Sequence, residues 1–120
     1  MAPPAPSTGA SVCPIEKARD LFRRASEQYD RGEYEGALAD FAACHRCRPQ
    51  PALLFNIGQT QRKLRRYADA IDSLRAFLRD APGTRGRADV EKLIAELEKL
   101  LAEEGRFREG DEHRRQLPPP

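Results

Sequence analysis

Apolar residues recur every three or four positions from Ile15 to Leu101, in five blocks separated by Gly, Pro and clusters of charge. The first block, Ile15, Ala18, Leu21, Phe22, Ala25 and Tyr29, makes one stripe on a helix predicted over 15–31. Gly32 ends it, because a left-handed cap is cheapest for glycine. Tyr34, Ala37, Leu38, Phe41 and Ala42 place a second helix over 34–46, with Cys44 near its end; Pro49 and Pro51 bar its continuation. Pro51 suits the first turn of a third helix that carries Leu53, Leu54, Ile57 and Leu64. A fourth carries Ala70, Ile71, Leu74, Phe77 and Leu78 before Ala81-Pro82-Gly83. The fifth, over 85–104, carries Val90, Leu93, Ile94, Leu97, Leu100 and Leu101, with Glu91, Lys92, Glu96, Glu98 and Lys99 on other faces. Short connections make neighbours antiparallel, so the expected fold is all-α.

The first four helices form two similar units. Tyr34, Ala37, Phe41 and Pro49 of one match Tyr67, Ala70, Leu74 and Pro82 of the other, each pair 33 residues apart, and Ala25 and Gly58 keep the same interval. A period near 33 belongs to helical repeat arrays, in which a single hairpin cannot bury its apolar side alone. Ala25, Ala37, Gly58 and Ala70 are small where two helices of a hairpin must approach. Gly58 carries this argument best, since mid-helix glycine costs about 1 kcal/mol relative to alanine.

These residues, in this order, resemble the tetratricopeptide repeat family, whose unit has a large residue, Leu-Gly, an aromatic, Ala, a second aromatic and a closing Pro. The likeness spans about 15–82: Leu54, Ile57-Gly58, Ala70, Leu74 and Pro82 in the second unit; Leu21, Ala25, Tyr29, Ala37, Phe41 and Pro49 in the first. Arg24 departs from the usual Leu, and Gln28 and Gln61 stand where the pattern has an aromatic. The resemblance implies antiparallel helix hairpins stacked as a short right-handed α-solenoid of about five helices. Repeat one would cover about 17–50, repeat two 51–83 and a capping helix 85–104, within a domain over 14–104; the fifth helix covers the apolar end of the stack.

The resemblance also implies a function, the binding of a protein or peptide partner on the concave face. The positions that correspond to that face are Arg19, Phe22, Ser26 and Tyr29 in the first unit, and Ala52, Phe55, Asn56, Gln59, Arg62 and Lys63 in the second. Rings supply contact area, amides pair with a peptide backbone, and Arg62 and Lys63 attract acidic groups. Phe22 and Phe55 serve equally as packing residues, and Arg62, Lys63, Arg65 and Arg66 as partners of a helix C-terminus. Of the residues with which some members grip a terminal carboxylate, only Asn56 is present, so that activity is not carried over. A self-associating module that dimerises through the fifth helix is the alternative.

Composition narrows the field without shifting it. Net charge is +2, too small a field to argue for nucleic acid, and no run of about 18 apolar residues exists to span a membrane. Residues 1–13 are Pro-rich and 105–120 are polar and Pro-ended, so both are expected as tails, the first disordered. The opening residues show no basic-then-apolar leader, which points to the cytoplasm, although a trimmed exported form reads the same.

Cys44-His45-Arg46-Cys47 lacks the second ligand pair that zinc requires and lies at a helix C-terminus, where the dipole disfavours a thiolate. No metal, cofactor or small-molecule substrate is expected, nor any catalytic constellation. An antiparallel hairpin brings the start of the first helix beside the end of the second, so Cys13 and Cys47 become neighbours. In an oxidising compartment they would form a bridge that staples the hairpin; in a reducing one all three thiols stay free.

Overall fold

The computed structural model describes residues 13–116, so the tails expected over 1–13 and 105–120 lie outside the described residues at 1–12 and 117–120. Five helices follow one another: α1 (Ile15–Asp30), α2 (Tyr34–Cys47), α3 (Pro51–Lys63), α4 (Tyr67–Asp80) and α5 (Arg87–Gln116). There is no strand among the described residues. Each helix packs on the next in chain order, the arrangement that short connections impose on amphipathic helices. None is long and apolar enough to cross a membrane.

The buried side chains form two clusters that α3 joins. Ala18 and Ala25 of α1, Ala37, Phe41 and Cys44 of α2, and Leu53 and Ile57 of α3 make the first. Ala70, Ile71, Leu74 and Leu78 of α4 with Val90, Ile94 and Leu97 of α5 make the second, against which Phe55 of α3 also packs. Arg24 is exposed where the second unit buries Ile57. The difference follows from position in the stack. Ile57 faces α2, whereas among the described residues no helix precedes α1, and Arg24 instead reaches Asp40 of α2 at 3.0 Å.

The two hairpin turns share their backbone. Gly32 N–H donates to Tyr29 O (3.0 Å) and Glu33 N–H to Gln28 O (2.8 Å); 33 residues on, Arg65 N–H donates to Arg62 O and Arg66 N–H to Gln61 O, both at 2.9 Å. This paired closure requires a left-handed residue at the turn. Gly32 has φ +78° and Arg65 has φ +62°. Left-handed backbone costs a residue with a Cβ about 1–2 kcal/mol, of which the extra freedom of an unfolded glycine takes back about 0.4–1 kcal/mol. Arg65→Gly is therefore expected to stabilise the fold by about 0.5–1 kcal/mol in urea unfolding. A lower midpoint would show that Arg65 makes contacts worth more than its strain.

Inside each hairpin a glutamine of the first helix is bonded across to the second. Gln28 Nε2 donates to Asp40 Oδ2 at 2.6 Å, and Ser73 Oγ donates to Gln61 Oε1 at 2.6 Å. Both pairs span the same 12 residues and recur at the 33-residue interval, so a polar tie stands in each unit.

The fifth helix differs from expectation. It runs to Gln116 instead of ending at Glu104, so most of the residues expected as a C-terminal tail are helical. The apolar stripe fades after Leu101, but helix formation does not need it. Arg, Glu and Gln favour helix, and no proline intervenes before Pro118. Gly105 and Gly110 each cost about 1 kcal/mol, which the good helix formers around them and the Arg108–Glu104 pair (2.8 Å) help to offset. Arg75 of α4 and Glu98 of α5, 2.6 Å apart, tie this helix to the stack at the end of its packed part.

Candidate functional site

Along one side of the stack, α1, α3 and α5 enclose three hollows that share walls. The first, about 270 Å³, lies between α1 and α3 and is lined by Phe22, Ser26, Tyr29, Asp30, Phe41, Phe55, Asn56 and Gln59. The second, about 460 Å³, opens toward the starts of the same two helices, with Ile15, Arg19, Arg48, Gln50 and Ala52 around Phe22, Leu53 and Asn56. The third, about 400 Å³, lies between α3 and α5, with Thr84, Gly86, Asp89 and Leu93 facing Phe55 and Gln59. Phe22 and Asn56 belong to the first two, and Phe55 and Gln59 to the first and third. The three therefore make one trough.

Its floor is aromatic. Phe22 is 44% exposed and meets Phe41 edge to face at 5.9 Å, so one edge packs while the other is open to the hollow. Phe55 is half-buried against Phe77 at 5.5 Å and both packs and lines. Tyr29 meets Tyr34 edge to face at 5.3 Å, and burial pushes its phenol pKa up, against the pull of the Arg62 guanidinium. The amides and cations stand above this floor. Asn56 lies between the two hollows of α1 and α3, while its backbone carbonyl accepts from the buried Thr60 hydroxyl at 2.7 Å. Gln59 Oε1 accepts from Arg62 Nε at 2.9 Å, which holds that guanidinium half-buried at the rim.

Of the residues singled out from the sequence, the structure brings Phe22, Ser26, Tyr29, Phe55, Asn56 and Gln59 together around the first hollow and places Arg19 at the second. Arg62 joins them only through Gln59, and Lys63 is exposed and lines none of the three. The wall supplied by α5 was not anticipated. The repeat interval held a signal for it, since Asp89 stands 33 residues after Asn56 and Val90 33 after Ile57.

Charge is graded along the trough. Arg19 and Arg48 stand at the second hollow, Asp30 and the Gln59-bound Arg62 at the first, and Asp89 at the third. Arg48 Nε also donates to Cys13 O at 3.0 Å, which draws the entry to α1 over the end of α2. Cys13 and Cys47 are joined there as a disulfide, their Cα atoms 5.2 Å apart. Cys44, on the wall of the second hollow, is a buried free thiol that donates to Ala18 O at 3.3 Å, and burial pushes its pKa up. The two cysteines of the Cys44–Cys47 spacing thus have different environments. Among the described residues no three His, Cys, Asp or Glu side chains gather as a metal site would need.

Compared with protein-family models, curated proteins and solved structures, the chain gives no match.

Proposed function

We propose that this chain is a non-catalytic interaction module of the tetratricopeptide type, which takes an extended peptide or a helix of a partner protein along the trough of α1, α3 and α5. The observation that carries the reading is the fusion of three hollows over Phe22, Tyr29 and Phe55, with Asn56 and Gln59 spaced between them. Aromatic rings beside two amides suit a ligand with alternating side chains and backbone groups. The repeat character rests on features that return every 33 residues: the left-handed turn at Gly32 and Arg65, the polar ties of Gln28 and Gln61, and the small pairs Ala25 with Ala37 and Gly58 with Ala70. The charge gradient sets a direction, with an acidic group of the peptide toward Arg19 and Arg48 and a basic one toward Asp89.

Peptides selected from a displayed random library on the full chain test this. Phe22→Ala with Asn56→Ala is expected to weaken the best of them at least about tenfold, or about 1.4 kcal/mol. Asp72→Ala, on the exposed side of α4, should leave binding unchanged. Peptides that bind the trough variant as tightly as the parent would remove the trough from the function.

A further inference from the structure

Past Leu97 the fifth helix outruns the helix it packs on. α4 has 14 residues and α5 has 30, and the α5 side chains buried in the second cluster end at Leu97. The apolar pattern does not end there. Leu100 and Phe107 follow Leu93 at successive steps of seven, and Leu101 follows Ile94 at one, so the core-facing stripe continues, thinned by Glu104 and Arg108, onto a segment with no helix beneath it among the described residues. Leu100 is 41% exposed, Leu101 38% and Phe107 75%. Five large apolar side chains are exposed among the described residues; the other two, Ile15 and Phe22, line the trough. These three lie apart from it.

We propose that the projecting part of α5 pairs with that of a second copy of this chain as a short antiparallel coiled coil. The charges choose this occupant and its direction. Glu104 and Arg108 lie on the same side of the helix as Leu100, Leu101 and Phe107, at the spacings of three and four that share a face, whereas Arg106 falls on the other side. Run antiparallel, two copies set Glu104 of each beside Arg108 of the other, twice over. A parallel pair would set like against like. The same order brings the two leucines of one copy against the phenylalanine of the other. Arg108 already reaches Glu104 within its own helix at 2.8 Å, which puts both on one side, in place to exchange across a pair. Six apolar side chains make a small interface, so the association is reversible and concentration-dependent.

Sedimentation equilibrium over a concentration series reads this directly. The full chain should rise from 13.5 kDa toward twice that mass, and Phe107→Glu should stay at one chain with unchanged helicity, because the residue it replaces is exposed. Two charge-reversed variants fix the direction. Glu104→Arg and Arg108→Glu should each be monomeric alone and associate when mixed in equal amounts. A parent that keeps the one-chain mass throughout, or a Phe107→Glu variant that associates like the parent, overturns the proposal. A mixture that stays monomeric overturns the antiparallel arrangement. Peptide binding in the trough is scored separately and should be untouched by Phe107→Glu, so failure of one reading leaves the other standing.

Discussion

Leu74→Ala is expected to lower the unfolding free energy by about 3–5 kcal/mol, toward the upper part of the range for a buried leucine. Leu74 is fully buried, and opposite it stands Gly58, which has no side chain to relax into the hole. A Cβ built on Gly58 comes 3.0 Å from both Cγ and Cδ2 of Leu74 and 3.4 Å from the Ala70 carbonyl oxygen. In the parent, Gly58→Ala therefore sets a helix-propensity gain of about 1 kcal/mol against overpacking of about 1–3 kcal/mol, and is expected to be neutral or destabilising. With Leu74→Ala present the obstructing atoms are gone, and the same methyl fills space. Gly58→Ala should then stabilise, with a coupling between the two sites of about 1–3 kcal/mol. Urea unfolding of the four proteins closes this cycle. Additive effects would mean that Gly58 is not held small by Leu74. Gly58→Leu exceeds what rotation of Leu74 can absorb and should destabilise by about 3 kcal/mol or more.

The same contact explains why Gly58 could be read from the sequence while Gln28 could not. A glycine in mid-helix contradicts local propensity, and that contradiction alone points to a space constraint. A glutamine raises no such conflict. Its role depends on a partner 12 residues away, which faces it only after the hairpin closes. The limits of α1 to α4 were legible because Gly32, Pro49, Pro51 and Pro82 interrupt both the stripe and the backbone. At the end of α5 those two signals separate. The stripe fades after Leu101, while the backbone stays helical to Gln116. Burial ends earlier still, at Leu97, and helix length follows from propensity as well as from packing. The site divides in the same way. Phe22 and Phe55 stand 33 residues apart, whereas Gly86 and Leu93 come from the turn before α5 and from its start, which keep the interval only through Asp89 and Val90.

Opening the Cys13–Cys47 disulfide is expected to reduce stability by about 2–4 kcal/mol, because the bridge closes a loop with a sequence separation of 34 and removes the corresponding freedom from the unfolded chain. The lower part of that range holds if the native junction survives reduction. The Arg48 bond to the Cys13 carbonyl, and the Lys17 and Ala18 N–H groups that donate to Pro14 O at 3.1 and 3.2 Å, do not need the sulfur bridge. Thermal unfolding should show a fall of on the order of 10–20 °C on reduction or in Cys13→Ser. Cys44 supplies an internal check. Its thiol is buried, bonded to Ala18 O, and raised in pKa, so it should react slowly with a thiol reagent until the hairpin opens. The oxidised native chain should therefore show no fast thiol. The reduced chain should show two, and unfolding should add one more in either case. Three fast thiols in the reduced native protein would mean that the bridge holds the first hairpin shut. If the bridge is opened and the unfolding midpoint does not move, α1 is held by the packing of Ala18, Ala25 and Tyr29 and by the bonds of Arg24 and Gln28 to Asp40, and the disulfide contributes nothing to the fold.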